Sequence, residues 1–289
     1  ILRSFEIYVF PKIGNLPHDE THLHVWLSLI EDVVKVKSAI GARILLYAKT
    51  AHRWGIRRGI ISLNPLIDVT AQDLGVVNQQ GERVLSENEL RVLFALIDAP
   101  NYNPRNALII KLALLFGCRI GELLKAKITD FDFTKGIWTV PPENHKTGRK
   151  SKKPIIRPII PAAEKLIKTA KKLNYGSDYL FTVARGRPLR INGHNAFIPY
   201  LNKKMARRFD NYVHWSIHDL RKTMRTGVAE LTQPHVAEIM LGHKLPGVWQ
   251  VYDKHTYLEE QREAYERWWN KVNQIVYPSP NPEYPVGQN

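Results

Sequence analysis

The stretch NALIIKLALLFGCRIGELL, residues 106–124, decides how the chain is read. From Asn106 to Phe116 it is apolar on every side except at Lys111, so a helix here has no face to give to water and runs through the centre of a domain. Gly117 stops it, because glycine enters the left-handed conformation that ends helices at no steric cost. Arg119 follows at the edge of the core, at the start of a short second helix predicted over Arg119 to Ala126, with Glu122 one turn along.

Outward from this centre the elements fall into place. Upstream, Leu85-Ser86-Glu87-Asn88-Glu89 opens the domain, with Ser86 able to cap the first turn and Glu89 to reach back in a capping box. Downstream, Phe131 to Val140 is rich in aromatic and β-branched residues around a Thr134-Lys135-Gly136 turn and predicts a hairpin. Pro154 to Ile160 predicts a third strand, across a loop containing His145-Lys146-Thr147-Gly148. Helices are predicted over 162–173, 192–207, 218–231, 234–241, 247–252 and 257–274. Residues 85–274 thus read as one mostly helical domain with a small antiparallel sheet, an α+β unit.

Residues 1–74 read as a separate helical unit. From Ser38 to Gly55, the residues Ile40, Ile44, Tyr47, Ala51 and Trp54 recur at helical spacing and predict its buried face. Lys49, Arg53 and Arg57 fall four apart on another face, and Asn64-Pro65 is predicted to end the unit's last helical stretch. Residues 75–84 are polar, poorly periodic and read as a linker. The tail, 275–289, carries four prolines and predicts an extended or disordered segment. There is no internal repeat.

Composition limits the class. The 289 residues are 44% hydrophobic and 24% charged, which excludes a mostly disordered basic tail. Cys118 is the only cysteine, which excludes a disulfide framework and a thiolate metal cluster and suggests a reducing compartment. No apolar run is long enough to span a membrane, and no secretory signal is read at the start. The formal net charge is +15, and it is local: residues 146–225 hold 20 Lys+Arg against 4 Asp+Glu. The rest of the chain is close to neutral. A concentrated basic stretch broken by prolines and glycines suits a polyanion-binding face better than a membrane-surface helix.

Several polar groups stand out, each ordinary when taken alone. His218-Asp219-Leu220-Arg221 places an imidazole and a guanidinium on one helix face. Lys146 sits at a loop tip, His243 follows Leu241-Gly242 at a helix end, and Tyr252 comes nine residues later. Their order changes the weighing. Gly117-Cys118-Arg119-Ile120-Gly121-Glu122, then Lys146-Thr147-Gly148, then His218 to Arg221, then Leu241-Gly242-His243-Lys244, then Val251-Tyr252 resembles the tyrosine recombinase (phage integrase) family. The resemblance covers about residues 85–270 as a catalytic domain, with residues 1–74 resembling the helical core-binding domain before it. The phrase from Leu241 to Tyr252, with Pro246 and Trp249, is most similar to integrases of genomic islands and satellite phages.

The resemblance implies a site-specific DNA recombinase that integrates or excises a mobile element through a 3′-phosphotyrosyl intermediate. It implies Tyr252 as nucleophile, Arg119 and Arg221 as ligands of the non-bridging oxygens, and His243 as a further donor. His218 is implied as a positioning acid or base, and Lys146 as the acid for the departing 5′-oxygen. The chemistry agrees: a phenol with a pKa near 10 needs strong positive potential to attack, and guanidiniums hold phosphate oxygens in pairs. Lys150, Lys152 and Lys153 share the Lys146 loop and stand as alternatives to it, and Tyr257 is the rival to Tyr252. Lys49, Arg53, Arg57, Arg149, Lys150 and Lys152 are expected to contact DNA. No metal and no nucleotide cofactor is expected, since no acidic cluster or phosphate-binding glycine loop is read.

The implied partners are double-stranded attachment-site DNA, three further copies of the chain in a tetramer on two duplexes, and accessory DNA-bending or excision factors. Acidic Glu259, Glu260, Glu263 and Glu266 near the end are expected as a contact to a neighbouring subunit. The implied location is the cytoplasm, at the nucleoid. Larger members carry an arm-binding domain in front; none is read here. Two other readings remain: a type IB topoisomerase-like relaxing enzyme, and a DNA-binding architectural factor without catalysis. All six expected side chains are present, which argues against the last.

Overall fold

The computed structural model describes residues 2–76, 83–183, 189, 193–243 and 255–278. The chain separates into two compact units, Ile1–Gly81 and Glu82–Asn289.

The first unit is helical: α1 (Leu2–Tyr8), α2 (Phe10–Ile13) and a long α3 (Leu23–Ile56). α3 is broken at Lys37, whose backbone leaves the helical region (φ −145°, ψ 76°). Gly41 lies just past the break, where a Cβ would come within 2.3 Å of Val34 Cγ2, so the bend depends on a residue without a side chain. The buried seam after the break is Gly41, Ile44, Leu45, Ala48, His52 and Gly55. Sequence spacing placed it on Ile40, Ile44, Tyr47, Ala51 and Trp54; Ile44 alone of these is buried, and Trp54 is 52% exposed. The shift has a physical cause. Gly55 packs against Ile61, and the His52 ring sits inside with Nδ1 bonded to the Ala48 carbonyl at 2.8 Å, so two non-apolar residues form part of the seam.

Two further expectations for this unit change. Helix α3 ends at Ile56, and Asn64 does not end a helix: its Oδ1 accepts the Leu66 N–H at 3.1 Å and closes a local turn. Residues 75–84 are not uniformly linker, because Val76 is buried in the first core while Arg83 and Leu85 bond to Glu89 and Thr223 of the second unit.

The second unit is built around α5 (Pro104–Phe116), buried on all sides from Ala107 to Phe116 except at Lys111. Asn103 caps it, Pro104 starts it, and Gly117 ends it with φ 55°. A Cβ on Gly117 would also meet Met224 Sδ at 2.6 Å, so glycine is required there twice over. The predicted capping box of α4 (Glu87–Ile97) forms, with Ser86 Oγ accepting from Glu89 and Glu89 Oε2 accepting from Ser86. α6 (Ile120–Leu124) follows Arg119.

The sheet is antiparallel in the order β1 (Phe131–Asp132), β2 (Ile137–Val140), β3 (Ile155–Pro158). Its register sets Trp138 opposite both Phe131 and Arg157. The connection between β2 and β3 contains a 3-10 turn, Pro142–Asn144, and a short helix, α7 (Gly148–Ser151). Then come α8 (Pro161–Lys172), a 3-10 turn at Gly193–Ala196 where helix was expected, and α9 (Ile198–Met205). α10 (Ile217–Gly227) is shorter than predicted, and α11 (Pro234–Met240) follows. The last helix, α12 (Leu258–Val276), buries Ala264, Tyr265, Trp268 and Val272 in the core of its own unit. Trp268 Nε1 donates to the Leu114 carbonyl at 3.1 Å. Glu259, Glu260, Glu263 and Glu266 lie on its exposed side. The helix expected over 247–252 and most of the proline-bearing tail lie outside the described residues.

Candidate active site

Arg221 is the centre of the site. It is 5% exposed, and its Nη1 donates to two carbonyls, Gly117 at 2.9 Å and Leu241 at 3.0 Å. Those two residues are the stop of α5 and the first residue past α11, so one guanidinium ties together the ends of two helices and its own α10. The start of α10 is set by Asp219, whose Oδ2 accepts both the Ser216 N–H and its hydroxyl at 2.8 Å. That turn places His218 three residues before Arg221 on the same helix. Burial, with Arg119 nearby, pushes the Arg221 guanidinium down to about 10, which still leaves it charged at neutral pH.

Arg119 reaches the same place from α6. Its Nη1 lies 3.3 Å from Glu122 Oε1, and its side chain is 24% exposed, which leaves part of the guanidinium open to a ligand. Glu122 is 1% exposed and is shared: Oε2 takes Arg157 Nη2 at 2.8 Å. Burial alone would raise the Glu122 carboxyl, but Arg157 and Arg119 outweigh it and hold it below its ordinary range. Arg157, on β3, is fully buried, donates from Nε to the Met240 carbonyl at 3.1 Å and lies over the Trp138 ring at 5.1 Å.

His243 completes the described cluster. Its Nε2 is 2.7 Å from Arg221 Nη2, and its Nδ1 is 2.6 Å from Glu238 Oε2. His218 is exposed at one edge; burial of part of the ring, then Arg221 and Lys222, hold it below its ordinary value, so it is neutral and able to accept a proton near pH 7.

The structure therefore brings Arg221 and His243 into direct hydrogen-bond contact, with Arg119, paired to Glu122, and His218 within electrostatic reach of Arg221. Lys146, Lys150 and Lys152 are exposed on the β2–β3 connection. Tyr252 and the Arg149 side chain lie outside what the structure describes. Tyr257, the rival nucleophile, is half-buried beside the His235 and His255 rings. In the first unit Arg53 and Arg57 are exposed, whereas Lys49 Nζ is bound to the Val69 carbonyl at 2.8 Å and holds a loop in place.

Sequence reasoning missed Arg157 and Glu238. Arg157 counted only toward the basic stretch; the one signal for it is its position on a strand whose other residues are apolar or proline. Glu238 had a local signal, standing five residues before His243 on the preceding helix.

Residues 83–259 match the phage integrase family, and the chain belongs to it. Among relatives, the integrase of Enterobacteria phage P4 is 25% identical over 190 residues, covering 63% of this chain and 43% of the phage protein. The chain spans about half the length of the first curated relatives it matches. Among solved structures, the Tn1549 transposon integrase in complex with circular intermediate DNA has the same fold, with a TM-score of 0.68, 18% identity and 90% coverage of both chains. A lambda integrase tetramer bound to a Holliday junction matches with a TM-score of 0.63 and 18% identity over 88% of this chain and 73% of that one.

Proposed function

We propose that the protein is a site-specific DNA recombinase that cuts and rejoins DNA through a 3′-phosphotyrosyl bond, to integrate or excise a mobile element. The observation that carries the reading is the convergence of Arg119, Arg221 and His243, from three separated segments, on one partly open position backed by buried carboxylate and carbonyl groups. Such a position suits a phosphodiester: attack places extra negative charge on its non-bridging oxygens, and fixed cations stabilise that charge without reorganising. Tyr252 is the nucleophile in this reading, and its phenol oxygen becomes bonded to phosphorus as the 5′-oxygen leaves. Lys146, from the exposed β2–β3 connection, gives that oxygen its proton, and neutral His218 takes the phenol proton. Reversal by a 5′-hydroxyl from another strand needs no nucleotide, because the phosphotyrosine keeps the bond energy.

The partners follow. Duplex attachment sites are the substrate, approached through the basic stretch from Lys146 to Arg225 and through Arg53 and Arg57 of the first unit. Exchange between two duplexes cuts four strands and so takes four copies of the chain, which the fold likeness to lambda integrase supports. Accessory bending or excision factors belong to the same reading, as does a place in the cytoplasm. No described helix is long and apolar enough to cross a membrane.

The test is a pool of nicked duplexes of randomised sequence in which the fragment beyond the cut is lost. The protein is expected to form a covalent adduct with a subset of sequences, Tyr252→Phe to form none, and Tyr257→Phe to keep it. An adduct surviving Tyr252→Phe overturns the assignment. Binding is expected to weaken steeply as salt rises, because each neutralised phosphate releases counterions.

A further inference from the structure

The imidazole of His243 is held from two sides, and the two holds have opposite hydrogen-bond polarity. Arg221 meets Nε2 at 2.7 Å, and a guanidinium can only donate, so Nε2 accepts. The ring proton therefore sits on Nδ1 and is donated to Glu238 Oε2 at 2.6 Å. The other carboxylate oxygen takes the Arg225 Nε–H at 2.8 Å. The turn between Glu238 and His243 is closed by the His243 N–H on the Glu238 carbonyl at 3.0 Å, with Gly242 at φ 70°. Among the described residues, the charged groups facing His243 are Arg221 and Arg225 from α10 and Glu238 from α11, with Arg119 beyond Arg221. Burial would raise the Glu238 carboxyl, but hydrogen bonds from His243 and Arg225 outweigh it and keep it ionised.

We propose that Glu238 is a positioning residue of the recombinase site: it commits the ring proton of His243 to Nδ1, so that a phosphate oxygen replacing Arg221 at Nε2 is met only by a second proton on the ring. The proposal rests on the reading above, in which His243 donates to the phosphate. In the resting arrangement Nε2 presents a lone pair, which an anionic oxygen cannot use. A ring free at Nδ1 would move its single proton to Nε2 and donate while neutral. With Nδ1–H held by a carboxylate, the ring instead gains a proton from solvent and donates as an imidazolium, with Glu238 stabilising the charge. Engagement of the phosphate and uptake of a proton become one event.

Glu238→Gln separates this from a structural role. Arg225 can only donate, so it draws the amide oxygen of the glutamine to itself and turns the amide NH₂ toward His243. Nδ1 then accepts from the amide, the proton moves to Nε2, and Arg221, which also only donates, has to leave that nitrogen. Long-range ¹⁵N–¹H correlation on ¹⁵N-histidine-labelled full chain, with His243 assigned by its loss in His243→Asn, reads this directly. The expected result is Nδ1–H in the wild type and Nε2–H in Glu238→Gln. Nε2–H in the wild type overturns the proposal whether or not the variant folds.

The second readout is adduct formation on the nicked duplex pool as a function of pH. Above the midpoint of the alkaline limb the ratio of the Glu238→Gln rate to the wild-type rate is expected to rise about tenfold per pH unit, since the variant donates without the extra proton. A ratio constant across pH overturns the proposal, because loss of packing alone scales both limbs together. Absence of any adduct, alongside the expected switch of tautomer, removes the recombinase reading and leaves Glu238's hold on His243 standing.

Discussion

Arg119, Arg157 and Arg221 are held by groups that the core itself supplies, whereas Lys146, Lys150 and Lys152 stand exposed on the connection between β2 and β3. The first set, with Arg157 on a strand, grips the ends of two helices and a buried carboxylate; the second is attached only to a loop and one short helix. In the proposed reaction the difference matches two tasks. Stabilising charge on a phosphate requires cations already in place and partly desolvated, because a group that must move to meet the charge spends part of its benefit on reorganisation. Delivering a proton to a departing oxygen requires reach, and a lysine on a mobile stem provides it.

Arg157→Ala tests the fixed half most severely. It leaves Glu122 buried with only Arg119 at 3.3 Å, and loss of one partner of a buried pair costs about 3–5 kcal/mol. Arg119's continued presence places the expected loss near 3 kcal/mol, read as the denaturant midpoint of the second unit. The double variant Arg157→Met, Glu122→Met sharpens the point. If it recovers stability but not adduct formation, the buried pair serves to orient Arg119. If Arg157→Ala leaves the midpoint unchanged, the fixed half is not held as described.

Arg221→Lys comes next. An ammonium on a single stem cannot serve Gly117, Leu241 and His243 together while presenting a fork to phosphate, so adduct formation is expected to fall by about 10²–10³-fold with the fold retained. The contrast lies in rescue. A substrate whose leaving oxygen is replaced by sulfur needs little proton donation, so it should restore Lys146→Ala and not Arg221→Lys. Rescue of both would erase the distinction between the two sets of cations.

How far the site can be read before folding depends on how local each cause is. The central helix, its Gly117 stop and the Ser86–Glu89 box are set by neighbours within one turn and were legible. Arg119, His218, Arg221 and His243 were legible only through their order along the chain. The Arg157–Glu122 pair was not, because it joins residues 35 apart through a strand register that no spacing rule predicts. The seam of α3 was misplaced for a related reason: counting apolar residues overlooks Gly41 and Gly55, buried for their small size, and His52, buried with one ring nitrogen bonded to the Ala48 carbonyl. Lys49 differs from Arg53 and Arg57 in a way that spacing does not show: it is half-buried and its ammonium is bonded to a loop carbonyl.

The smallest expected effect concerns His218, at the border between the two halves. Burial, then Arg221 and Lys222, lower its folded value below the ordinary 6.5. The unfolded chain therefore takes up this proton first as pH falls. The stabilising contribution is complete above about pH 6.5 and is lost on acidification toward the lower folded value. His52 in the first unit, lowered by burial as well, adds a contribution of the same sign. Glu89, Glu122 and Asp219, all held low, act only in a more acidic range. His218→Gln is accordingly expected to make the denaturant midpoint of the second unit less sensitive to pH just below 6.5, leaving the slope at lower pH as it was. An unchanged sensitivity in that window would mean that neither burial nor the guanidinium cluster acts on His218, and would set it with the exposed lysines.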